Sequence, residues 1–176
     1  MLGRALERLQ LCVRPPVRIT EPPSRGVVVE RDVLVSMRDG VRLRVDVFRP
    51  VSDALVPVLL CAHPYGKNNT PPRRRRGYGL PKQYRLLPQS QAFSHSAWTG
   101  WEAPDPAYWV SLGYAVVNAD LRGWGASEGV GELLCEQEGR DGHDLVEWAA
   151  AQRPAHLSAI CPWEGFTDLG YSRRGS

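Results

Sequence analysis

Residues Tyr114 to Gly129 read YAVVNADLRGWGASEG, a continuous apolar run that passes into a glycine-rich segment. The run up to Asp120 is unbroken and does not alternate, which is the pattern of a strand buried on both faces in a parallel sheet covered by helices. Gly125-Ala126-Ser127-Glu128-Gly129 spells G-x-S-x-G, the signature of a serine-hydrolase nucleophile elbow. An elbow needs a strand that runs straight into the serine and a helix that leaves straight after it, so that strain holds the hydroxyl exposed. Here Leu121 to Trp124 separate the strand from the motif, and Val130, Gly131 and Glu132 follow it, with a glycine where a helix should start. The context fails, and Ser127 reads as one residue of a glycine-rich loop.

Upstream, Pro57 to His63 (PVLLCAH) is a second continuous apolar run. Pro104-Asp105-Pro106 then opens a short helix carrying Tyr108, Trp109 and Leu112, which Gly113 closes. Pro57 to Asp120 is therefore a βαβ unit with two parallel strands side by side. Between Pro64 and about Ala103 nothing periodic appears, as expected of a functional or mobile loop. Further upstream, Gly26 to Pro50 has period two: Val27, Val29, Val33 and Val35 on one face, then Val41, Leu43, Val45 and Val47 on another. The Asp39-Gly40 pair between them predicts an antiparallel hairpin with one wet face. Downstream, Glu136 to Gln152 reads as a helix on its Leu145, Trp148, Ala149 stripe, with Asp141 and Asp144 near its start, and Leu157 to Pro162 as a third buried strand. The expected fold class is α/β, an N-terminal hairpin plus at least three parallel strands with flanking helices. It divides into an extension (1–25), one domain (26–170) and a frayed tail (171–176).

Composition fits one ordinary globular domain: 176 residues, 43% hydrophobic, 23% charged. No apolar run approaches the roughly 20 residues that span a bilayer. Met1 to Val13 looks like a short amphipathic helix without the apolar centre of a secretory signal. Cys12, Cys61, Cys135 and Cys161 lack C-x-x-C spacing and metal-site partners, so free thiols in a cytoplasmic setting, with no metal and no cofactor, are expected. The net charge is +3, and Arg73 to Arg76 is the one dense basic run. Flanked by Pro71, Pro72 and Gly77, it reads as a solvated loop, and neither nucleic acid nor membrane is expected as a partner.

Several blocks together carry a family resemblance: Met37-Arg38-Asp39-Gly40-Val41-Arg42-Leu43; His63-Pro64-Tyr65-Gly66-Lys67; Asp120 to Gly129; Glu138 to Trp148 with its spaced acids; and Pro154 to Ile160 closing at Pro162-Trp163-Glu164-Gly165. In this order they resemble the cocaine esterase and Xaa-Pro dipeptidyl-peptidase family of α/β hydrolases, the CocE/NonD type, from about Val27 to Asp168. The resemblance implies an incomplete α/β-hydrolase sheet and acyl transfer on a small ester, amide or peptide substrate. It makes the loop around Ser127 structural. It implies that Tyr65 donates its hydroxyl to the oxyanion of the tetrahedral intermediate, the second donor being a backbone N–H beside the nucleophile. Where the family carries the elbow strand, the G-x-S-Y-x-G turn and the helix behind it, this chain passes from Gln152 directly to Arg153. The gap amounts to roughly 25 to 30 residues. The family's acid and histidine also have no position to map onto, so the chain is expected to be inactive. Losing a central strand should force the third strand to re-pair or leave an unsatisfied edge.

Two readings follow: a serine-hydrolase family member without its nucleophile, or a non-catalytic pseudo-hydrolase that keeps the sheet and loops for binding. His63, His95, His143 and His156 are formal candidates for a base, and Ser127, Asp144 and His156 imitate a triad in order. Asp144 and His143 fall on the predicted helix and His156 at a strand entry, positions that favour capping or exposure. Asp120 and Arg122 read as braces of the loop. Trp98, Trp101, Trp109 and Trp124 could line an acyl or leaving-group pocket or serve packing.

Overall fold

A computed structural model of the chain describes residues 9–52, 54–87, 91–151 and the backbone of 159–160. Residues 9–13 are helical. The strands are β1 (Val17–Thr20), β2 (Val27–Ser36), β3 (Arg42–Pro50), β4 (Val58–His63), β5 (Phe93–Ser96), β6 (Ala115–Asp120) and β7 (Ala159–Ile160). The helices are α1 (Gln83–Leu86), α2 (Pro106–Ser111) and α3 (Glu136–Ala151). Five strands form the main sheet in the order β2-β3-β6-β4-β7, and β1 pairs with β5 in a small parallel sheet of two.

The hairpin forms around the expected turn, where Gly40 takes a φ of 86° that an L-residue resists. Its alternation is broken in the middle. Glu30 pairs with Val47 but Val33 pairs with Val45, so Arg31 and Asp32 form a β-bulge, and Asp32 sits at a φ of 54°. One extra residue turns the following side chains to the opposite face. Val33 and Val35 therefore join Leu43 and Val45 on the α3 side, while Val27 and Val29 join Phe48 on the other side. This corrects the expectation that all four valines share one face. It also corrects the expectation of a wet face, because β3 is covered on both sides: Leu43 and Val45 are buried on one, Asp46 and Phe48 on the other.

β4 and β6 run parallel and in register from Val58–Ala115 to His63–Asp120, joined through α2 as a βαβ unit. The Asp105 carboxylate caps α2 by accepting from the Ala107 N–H, and Gly113 ends it at a φ of 86°. α3 lays Leu145 and Ala149 on the face holding Val58, Leu60, Ala115 and Val117, and α2 lays Val110 on the face holding Phe48, Leu59 and Val116. The sheet is thus sandwiched between helices, which is why β4 and β6 are apolar without alternation.

The third parallel strand pairs directly with β4, Leu59 with Ala159 and Leu60 with Ile160. The remainder of the predicted strand, and the tail from residue 161, lie outside the described residues. The segment from Pro64 to Ala103 is not featureless. It contains α1 and β5, and β5 reaches back to pair with β1 in register, Val17 with Phe93 through Thr20 with Ser96.

Candidate active site

The carboxyl ends of β4 and β6 meet at His63 and Asp120, and the loops leaving them are joined by one carboxylate. Asp120 is fully buried. Its Oδ1 accepts the Lys67 N–H at 2.7 Å and its Oδ2 accepts the Ala126 N–H at 3.0 Å. A Cβ on Gly125, whose φ is 55°, would fall 2.3 Å from that carboxylate, so only glycine lets the loop close over it.

Lys67 continues the same construction on the other side. Its side chain is 1% exposed, and its Nζ donates to Asp32 Oδ1 at 2.6 Å and lies 3.1 Å from Asp46 Oδ1. Asp46, equally buried, also accepts from Arg31 Nη1 at 2.5 Å and from the Asp32 N–H at 3.0 Å. The bulge explains this geometry, since it puts Arg31 and Asp32 opposite Asp46 in the buried middle of β3. Burial pulls the Lys67 ammonium toward neutrality, but the hydrogen bonds to Asp32 and Asp46 outweigh it and hold its pKa above the usual lysine value. The Lys67 hydrogen bond in turn holds the Asp32 carboxyl below its ordinary range.

Tyr65 lies on the turn after β4, two residues before Lys67, with its ring centroid 5.8 Å from that of His63, and is 44% exposed. His63 is buried, and among the described residues neither ring nitrogen has a hydrogen-bond partner. Burial lowers its pKa, partly offset by the charge of Asp120, which favours the neutral imidazole.

The Ser127 hydroxyl is engaged both as donor and as acceptor. It donates to the Asp120 carbonyl at 2.8 Å and accepts the Arg44 N–H at 2.8 Å. Around it, the Glu128 N–H donates to the Arg42 carbonyl at 3.0 Å and the Glu128 carboxylate accepts the Arg42 N–H at 3.1 Å. These bonds fasten the glycine loop to the start of β3, and no described imidazole hydrogen-bonds to Ser127.

The spaced acids of α3 are likewise docking groups. Asp144 accepts from the Arg38 N–H at 2.8 Å and from its guanidinium, which lowers the Asp144 pKa to about 2. Arg122 grips buried Asp141 with two 2.7 Å bonds and lies 2.9 Å from Asp39. Its pKa is raised, first by the hydrogen bond to Asp141. Ser127 and Asp144 therefore serve separate joints, and the third formal triad member, His156, lies outside the described residues, as does the Gln152–Arg153 junction. His95 sits between the Tyr84 hydroxyl at 3.1 Å and the Ser96 carbonyl at 2.9 Å, far along the chain from the Tyr65 turn. His143 lies beside Arg38. Trp98 packs on Phe48 and Trp109 on Tyr114, while Trp101 packs edge-on against Tyr84. Trp124 lines a cavity of about 130 Å³ beneath the glycine loop with Arg122, Cys135 and Asp141. Among the described residues no group of three His, Cys, Asp or Glu side chains could hold a metal ion.

The Lys67–Asp46–Asp32 cluster escaped the sequence reading. Its signal was present: Asp46 is the one charged residue inside Val45 to Phe48, and Lys67 is one of only two lysines.

Residues 39–169 match the sequence profile of the X-Pro dipeptidyl-peptidase (S15) family. The chain belongs to this family. Among relatives of the S15-family chain, the cocaine esterase of a Rhodococcus species is 36% identical over 124 residues, which are 70% of this chain and 17% of the esterase. A Mycobacterium bovis protein named as a serine esterase is 32% identical over 144 residues, 78% of this chain and 20% of that protein. The structure of a CocE/NonD family hydrolase from Staphylococcus aureus superposes with a TM-score of 0.63 at 30% identity, covering 85% of this chain and 28% of that one. The S15-family chain thus spans about a fifth of the curated relatives it matches. Its α/β sheet is an incomplete version of the hydrolase sheet, and its family is one of ester- and peptide-bond hydrolases.

Proposed function

We propose that the chain supplies the oxyanion side of a serine-hydrolase site acting on small esters, amides or peptides, with the Tyr65 hydroxyl as oxyanion donor, and that alone it does not turn over. Acyl transfer passes through a tetrahedral intermediate whose negative oxygen needs a fixed donor in a dry site, and such a donor is worth about 10²- to 10³-fold in rate. The observation carrying this reading is the placement of Tyr65. It leaves the carboxyl end of a parallel strand, where α/β sheets place ligands, on a turn anchored two residues later at Lys67, whose N–H donates to Asp120 and whose ammonium meets Asp32 and Asp46. The lack of turnover rests on Ser127, whose hydroxyl spends its proton on a carbonyl and accepts from a backbone N–H. A nucleophile needs an adjacent base instead. Cys12 and Cys135 are free thiols, which supports a cytoplasmic setting.

The test exposes the purified chain to p-nitrophenyl acetate and a fluorophosphonate probe. No burst and no label are expected. Labelling that disappears in Ser127→Ala would overturn the assignment of Ser127 to structure, and labelling that survives it would locate a nucleophile elsewhere.

A further inference from the structure

One segment of the chain carries cations without acids. Between Pro64 and Trp101 there is no Asp or Glu, and there are seven Lys and Arg residues, although the whole chain carries only +3. Two of the seven are neutralised by distant acids: Lys67 by Asp32 and Asp46, and Arg73 by Glu21. The other five, Arg74, Arg75, Arg76, Lys82 and Arg85, are all exposed and meet no carboxylate among the described residues.

They are presented by ordered backbone. Arg73 and Tyr78 form an antiparallel bridge, the Arg74 N–H donates to the Gly77 carbonyl at 3.0 Å, and the Gly79 N–H donates to the Pro72 carbonyl at 2.8 Å. Arg73 secures the base of this finger by lying over the Tyr78 ring, 4.9 Å from its centroid. Arg74 to Arg76 therefore crown a tied-down turn, so little order is lost when they meet a partner. Seven residues beyond Gly79, α1 adds an apolar contribution. Its Tyr84 turns inward onto Phe93, His95 and Trp101. Two positions further around the helix, Leu86 must then point away, and it is 77% exposed. The seven-residue span limits Leu86 to about 25 Å from the finger, and on α1 itself exposed Arg85 adjoins it.

Exposed cations beside an outward leucine match an anionic lipid surface, where headgroup charge attracts the arginines and the leucine enters the interface. We infer that the Arg74–Arg76 finger and α1 form a peripheral docking surface for anionic phospholipid membranes. No described helix is long and apolar enough to cross a bilayer, and the contact here lies on the surface. On sequence grounds no membrane partner is expected, and this proposal departs from that expectation. A nucleic acid would use the same charges but gives Leu86 no role.

The experiment is co-sedimentation of the full chain with phosphatidylcholine vesicles, with and without phosphatidylglycerol, at low and physiological ionic strength. Binding is expected only with phosphatidylglycerol and should weaken with salt. The triple variant Arg74→Gln, Arg75→Gln, Arg76→Gln should lose about a hundredfold in partitioning, about fivefold for each charge. Leu86→Asp should lose about tenfold or more. All these positions are exposed, and unchanged circular dichroism and melting will verify that the variants fold. Equal binding to both vesicle types, no binding to either, or indifference to the triple variant overturns the proposal. So does a shift of duplex DNA at physiological salt without vesicle binding, which would assign the patch to nucleic acid.

Discussion

Replacing Lys67 by methionine keeps the volume of the buried side chain and removes its charge. Asp46 would then face the interior with Arg31 Nη1 and the Asp32 N–H as its remaining partners, and half-exposed Asp32 would turn to water. Breaking a buried ion pair by removing one partner costs about 3 to 5 kcal/mol. Because Asp46 keeps two of its bonds, the lower end applies, about 3 kcal/mol. With a urea dependence of about 2 kcal/mol per molar, the unfolding midpoint should fall by about 1.5 M at unchanged slope. The melting temperature should fall by about 6 to 12 °C. The difference between wild type and variant also has a pH signature. Asp32 has a lowered folded pKa, so its contribution is present above about pH 4 and fades as the pH falls through the folded value. Lys67 has a raised folded pKa, so its contribution is present below about pH 10 and fades as the pH rises through the folded value. The difference should therefore be flat across the neutral range and shrink at both extremes. A midpoint shift below about 0.5 M urea would refute the reasoning. A double-mutant cycle with Asp46→Asn that shows additivity would do the same, since direct partners must couple.

Ser127→Ala should cost about 1 to 2 kcal/mol in urea unfolding, because it strands the Arg44 N–H and the Asp120 carbonyl, while leaving fluorophosphonate reactivity unchanged at background. Asp144→Asn should destabilise the chain at neutral pH. Since Asp144 titrates at about 2 in the folded chain, the wild-type advantage should hold above about pH 4 and vanish as the pH falls toward 2, as read by urea midpoints across a pH series.

What the sequence disclosed and what it hid follow from the range of the interactions. The Asp39-Gly40 turn, the two apolar runs of the βαβ unit and the Leu145 to Ala149 stripe are local patterns, and each marks an element that forms. The bulge at Arg31–Asp32 has no such pattern. Its only trace is the charged triplet Glu30-Arg31-Asp32 interrupting the valines, and its cause is the tertiary demand for carboxylates around Lys67. The pairing of β1 with β5 joins residues more than seventy positions apart, and Phe93-Ser94-His95-Ser96 offers no alternation to announce it. At the site, the brace role of Asp120 was legible because its motif carries glycines on one side. The commitment of the Ser127 hydroxyl to Arg44 was not, since a backbone N–H leaves no mark in a sequence.

The Asp120 carboxylate is a hinge pin common to two turns. Because one rigid group holds both the backbone behind Tyr65 and the backbone before Ser127, neither turn can be remodelled alone. A change in the glycine segment that tilts the carboxylate will swing the tyrosine without touching it. Distant substitutions in that segment should thus be mistaken for alterations of Tyr65 itself unless the carboxylate's position is followed directly.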